Sequence, residues 1–219
     1  MAQSTQPAGA ALPAGLMADV TAYVEEYMSH YDGSHDFNHI KRVVALSRSI
    51  LAEERELAAS RGVVYDETLI ELGALLHDVG DKKYIQPGQD HTTLVRDVLL
   101  QKGADPTLAA RVQDLVLHVS FSSEKKDPAK VVAKVAELPE LAVVQDADRL
   151  DAIGAVGVGR CFAFTGVRGG TLDNAIEHFV EKLELLGGMM KTEAGRRMAR
   201  RRTERLVEFR GWWAEETLA

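Results

Sequence analysis

A chain of 219 residues, 46% hydrophobic and 27% charged, carries enough apolar side chain for one sizeable core and too much for a disordered polypeptide. A formal net charge of -7 argues against general nucleic-acid binding, and no apolar stretch approaches the roughly 20 residues that a membrane-spanning helix needs. The single cysteine, Cys161, excludes an intrachain disulfide, and a thiol among hydrophobic neighbours points to a reducing, cytoplasmic setting.

Residues 1–15 lack a basic start followed by a long apolar run and read as a flexible tail ahead of one domain over 16–219. Helical spacing of apolar residues predicts a first helix near 17–31 and a second near 36–59, whose buried face holds Ile40, Val43, Val44, Ser47, Ile50 and Leu51. A third helix near 66–78 is capped by Asp66 and interrupted after Asp78 by Gly80 and "QPGQD". A fourth, near 91–102, ends at Gly103, and a fifth, near 106–120, opens with Pro106 in its first turn. Four more are expected near 139–152, 154–164, 172–187 and 190–216. No run alternates as a strand would, so the fold class is all-α.

Two stretches invite a different reading. The glycines of "GAVGVGR" at 154–160 follow a helical segment, whereas a dinucleotide fingerprint follows a strand, so close helix packing explains them better. The basic run "RRMARRRTER" at 196–205 spreads its arginines over several helix faces and reads as a solvated helix with acidic partners.

The chemistry concentrates in three places. "SHDFNHIKRV" at 34–43, "ALLHDVGDKK" at 74–83 and "VVQDADRLDAIG" at 143–154 each bring imidazole or carboxylate to the edge of an apolar helix. Ionised aspartate beside buried leucines is costly unless it reaches solvent or meets a cation. Convergence of three such helices is what a metal site in a helical core requires.

His39, the doublet His77 and Asp78, and Asp148 in "DADRLDA" together resemble the pattern of the HD-domain superfamily of metal-dependent phosphohydrolases. The flanks "SHDFNHIKRV", "LLHDVGD", "LVLHVSFS" and "VVQDADRLDAIGAVGVGR" are similar to its YedJ-like and YpgQ-like branch. The resemblance implies an HD helical bundle, with a metal-binding core about 34–155 and additional C-terminal helices from about 156 to 219. It assigns His39, His77, Asp78 and Asp148 as metal ligands and leaves His35 and Asp36 as a decoy pair, Asp36 capping the helix. Asp146 and Asp151 either support the ligands from behind or merely meet solvent. Two imidazoles and two carboxylates suit one divalent ion, manganese first, with iron, cobalt, nickel, zinc or magnesium as alternatives.

By the same resemblance Asp81 is the group that positions or deprotonates the attacking water. His118 is a phosphate contact or proton donor, and Arg42, Lys82, Lys83 and His91 are the substrate-binding residues. His91 and His118 also keep a second metal open, while His30 and His178 read as surface histidines. The implied substrate is a small phosphate ester, a nucleotide, with cleavage of nucleoside triphosphates to monophosphate and pyrophosphate as the narrower form. A di-iron oxygenase on the same scaffold and a non-catalytic nucleotide sensor are the alternatives. Neither nucleic acid nor membrane is expected as a partner; a homodimer is compatible.

Overall fold

The computed structural model describes residues 12–81, 85 and 88–217. Residues 1–11 of the expected tail, and Lys82 and Lys83, lie outside them. The described residues form helices and turns, with α1 (Leu16–Met28), α2 (Phe37–Ser60), α3 (Glu67–Leu76), α4 (Leu94–Gln101) and α5 (Pro106–Leu117) in the first half. After these come α6 (Phe121–Lys126), α7 (Pro128–Glu137), α8 (Glu140–Asp151), α9 (Gly154–Val167) and α10 (Leu172–His178). The chain then passes through a π-helical turn (Phe179–Leu183), one α turn (α11, Glu184–Leu186) and a 3-10 turn (Gly187–Met189) into α12 (Glu193–Thr217).

Local chemistry accounts for the starts. Asp36 accepts from the His39 backbone N–H, Asp66 from that of Leu69, and Asp105 from those of Thr107 and Leu108 with Pro106 just inside the helix. In α3, "ETLIELGALL" is apolar on nearly every side, so it is a core helix rather than a surface one. Gly73 permits its approach to α5, because a Cβ there would stand 2.8 Å from a Leu115 methyl. Helix α8 is likewise enclosed and packs against α2, α3, α7, α9 and α12.

Several boundaries differ from expectation: α1 and α5 end three residues early, α9 runs three residues further, and the helix expected over 172–187 breaks after His178 into the π-helical turn. Helix α3 stops at Leu76, and His77 to Gly80 form a turn in which Gly80 takes φ 80, a left-handed geometry that glycine adopts freely. Asp90 binds the N–H and hydroxyl of Thr92, holding 90–93 out of α4. The stretch 121–137, unassigned from sequence, forms α6 and α7 on caps from Ser120 and Asp127. The last helix begins at Glu193 because Asp146 captures the backbone N–H groups of Lys191 and Thr192, and the Thr192 hydroxyl as well.

Further along, α12 behaves as a solvated basic helix: Arg197 pairs with Glu53, and Arg210 with Glu184. No single helix among the described residues is long and apolar enough to cross a membrane. Cys161 is a buried free thiol, as expected.

Candidate metal centre

The Asp36 cap sets His39 in the first turn of α2, where the residue is 1% exposed. Its Nδ1 meets Asp151 Oδ2 at 2.8 Å, so the proton assigned to Nδ1 donates to the carboxylate and the Nε2 lone pair faces away. His77, at the C-terminal end of α3, points Nδ1 at the Ala74 carbonyl at 2.9 Å, and its Nε2 is freed in the same way. The two Nε2 atoms stand 3.1 Å apart. Asp78 Oδ2 is 3.3 Å from His39 Nε2 and 3.5 Å from His77 Nε2, and Asp148 Oδ1 is 3.6 and 3.7 Å from the same two atoms.

Four acceptor atoms therefore converge from α2, the end of α3 and α8. Asp78 Oδ2 is buried and has no hydrogen-bond partner. Such a set is repulsive on its own and complementary to a cation. Nitrogen and oxygen ligands about 2.0–2.2 Å from a divalent ion have edges of roughly 3–3.5 Å, close to the separations seen. His39, His77 and Asp78 form the tight part of the cluster, with Asp148 at its open side.

Without an ion, a proton on the imidazoles is the other way to relieve this set: burial works against the Asp78 charge, but protonated His77 and His39 would override it and hold the carboxyl well below the usual carboxylate range. Burial also opposes a charge on Asp151, yet hydrogen bonds from His39 and Arg42 keep it strongly ionised.

The cluster opens into a pocket whose enclosed cavity is about 160 Å³. His39, His77, Asp78, Asp81 and Asp148 line one part; Phe121, Arg160, Phe164, His178 and Lys182 line another. Asp81 reaches it from the turn after α3, not from a continued helix.

Other expected residues lie elsewhere. Arg42 is not a free phosphate fork: its guanidinium makes two hydrogen bonds to Asp151, from Nε at 2.7 Å and from Nη2 at 3.0 Å. His118 ends α5 with Nδ1 on the Asp114 carbonyl at 2.7 Å, and His91 sits in the turn before α4 beside Asp90; neither lines the pocket. His30 is exposed as expected, whereas His178 is half-buried and lines the pocket, where burial pushes its pKa down. His35, set aside as a decoy, also faces the pocket, with Nδ1 2.7 Å from the Ser34 hydroxyl.

Sequence reasoning did not single out Arg160, Lys182 or Phe164. The glycine-rich start of α9 and the π-helical turn that carry the first two are tertiary features, though π turns recur at functional sites.

Comparison with known proteins gives a consistent picture. Residues 36–153 match the model of the HD domain. The uncharacterised protein YpgQ of Bacillus subtilis is 32% identical over 197 residues, which cover 87% of this chain and 88% of YpgQ. The crystal structure of YpgQ in complex with ADP superposes with a TM-score of 0.72 at 31% identity, over 92% of this chain and 97% of that one. A crystal structure of an HD-superfamily hydrolase from Bacillus thuringiensis aligns at 26% identity with a TM-score of 0.67, over 93% of this chain and 97% of that one.

Proposed function

The chain belongs to the HD domain family, and from that premise we propose that it is a metal-dependent phosphohydrolase acting on nucleotides. The observation that carries the reading is the buried, unpartnered Asp78 oxygen facing two imidazole lone pairs at the wall of an open pocket. The relative crystallised with ADP supports the substrate class. The narrower proposal is hydrolysis of nucleoside triphosphates to monophosphate and pyrophosphate, with manganese as the ion. The buried thiol of Cys161 accords with a cytoplasmic compartment.

His39, His77, Asp78 and Asp148 would hold the ion, which supplies Lewis acidity toward a phosphoryl oxygen and a water of lowered pKa. Asp151 keeps His39 in the tautomer that presents Nε2, and the Ala74 carbonyl does the same for His77. Asp81 accepts a proton from the attacking water as oxygen bonds to the α-phosphorus. The bond from that phosphorus to the bridging oxygen breaks, and pyrophosphate leaves with the electron pair. Lys82 and Lys83 follow Asp81 directly and are proposed to neutralise the departing charge. Phe121 and Phe164 offer apolar walls for a base. Since neither His91 nor His118 lines the pocket, nothing favours a second metal or the oxygenase chemistry over this reading.

The test is release of phosphate and pyrophosphate from a panel of nucleotides and simple phosphate esters, with manganese or with chelator. Manganese-dependent pyrophosphate release should vanish in Asp78→Ala and fall by about 10²–10⁴-fold in Asp81→Asn, which keeps its metal. A manganese-loaded protein that hydrolyses no member of the panel refutes the proposal.

A further inference from the structure

The geometry points to Arg160 as a substrate-phosphate ligand, positioned by Asp151, so that one carboxylate sets both a metal ligand and an anion ligand. This rests on the phosphohydrolase reading and adds the residue that would grip the nucleotide.

Asp151 is 1% exposed and reached from three directions. His39 Nδ1 lies 2.8 Å from Oδ2, and Arg42 bonds both oxygens. Arg160 Nη1 donates to Oδ2 at 3.1 Å. Arg42 alone balances the single negative charge of Asp151, with His39 neutral in the metal-binding tautomer. No other carboxylate pairs with Arg160 among the described residues, so its charge is left over at the pocket wall.

Its orientation is fixed as well. Arg160 Nε donates to the Ser34 carbonyl at 2.7 Å, and the side chain is 13% exposed. A guanidinium has five N–H donors in a rigid fork, and these two bonds use one donor on Nε and one on Nη1. The rest of the fork remains on a side chain that faces the same pocket as His39, Asp78 and Asp148. Arginine held in this way suits two oxygens of one phosphate better than a lysine would.

The placement has a thermodynamic consequence. Loss of Asp151 disturbs His39 and Arg160 together, whereas loss of Arg160 leaves the metal ligands and their Asp151 support in place. Metal affinity and nucleotide affinity should therefore respond differently to the two substitutions.

The experiment is calorimetric titration of manganese alone, and then of ADP at saturating manganese. It compares wild type, Arg160→Met, Arg160→Lys and Asp151→Asn, with thermal melts as the folding control. The Arg160 variants should keep manganese affinity within about threefold while the methionine variant binds ADP at least about tenfold more weakly; lysine recovers only part of that loss. Asp151→Asn should weaken manganese by about 10- to 100-fold and also weaken ADP when manganese is saturating.

Folded Arg160→Met that binds ADP like wild type overturns the assignment of Arg160. Asp151→Asn that loses manganese affinity but keeps full ADP affinity overturns the shared positioning. Wild type that holds manganese and fails to bind ADP overturns the nucleotide reading itself, a result distinct from either of the others.

Discussion

Replacing Asp78 with asparagine should separate the stability of the metal-free protein from its response to metal. Asp78 Oδ2 is buried, unpartnered and 3.3–3.5 Å from two imidazole Nε2 atoms. An amide N–H placed there converts acceptor facing acceptor into donor facing lone pair. Leaving a buried polar group unsatisfied costs about 1–3 kcal/mol, and recovering about 1 kcal/mol of it raises Tm by roughly 2–4 °C in a domain of this size. In the wild type, manganese at one hundred times its Kd adds about 2.7 kcal/mol, a rise of roughly 5–11 °C. The assay is thermal unfolding at pH 8 in chelator and along a manganese titration. Asp78→Asn should melt higher than wild type in chelator and gain little from manganese. A variant that melts several degrees lower in chelator, or keeps the full manganese response, refutes the reasoning that the four acceptors are built for a cation.

Gly195→Ala should lower stability by about 1–3 kcal/mol or more, because the new Cβ would fall 2.3 Å from Asp146 Oδ2, a carboxylate already held by Lys191 and Thr192; chemical denaturation measures it, and an unchanged midpoint refutes it. Glu124 bridges the buried Arg149 and Lys191, and although burial opposes its charge, those two cations hold its pKa below the ordinary 4.5. A depressed carboxylate contributes stability that is full above the unfolded value and lost as pH falls through the folded one. Wild type should therefore lose this contribution below about pH 4.5, and Glu124→Gln should be less stable at pH 7 by about 1 kcal/mol while lacking that acid-side slope. Equal pH profiles of the two proteins in denaturant titrations refute the assignment.

The helical class was legible because it depends on local pattern, whereas His39 and Asp148 were picked out from neighbouring candidates by the family resemblance. Periodicity exposes the buried faces of α2 and α8, and caps such as Asp36 and Asp66 act within one turn of the chain. Helices α6 and α7 carried the same signals in Ser120 and in Asp127 before Pro128, but six and ten residues give little periodicity to detect. Asp148 and Asp151 lie three apart on α8 and share a face, whereas Asp146 turns toward α12; helical geometry alone could have divided the three. Arg42 shares a face with His39 as the spacing required. Its partner stands 109 residues away, and no local rule tells a distant carboxylate from a phosphate.

The HD match ends at residue 153, yet the pocket wall continues through Gly157, Arg160, Phe164, His178, Lys182 and Leu186. On the proposed function, reactivity and selectivity would thus be written in separate stretches of one polypeptide. Substitutions along the C-terminal segment would reshape the pocket wall without replacing His39, His77, Asp78 or Asp148. Helix α8 joins the two stretches, with its Asp151 bonded to His39 and its Asp146 clasping the residues that lead into α12.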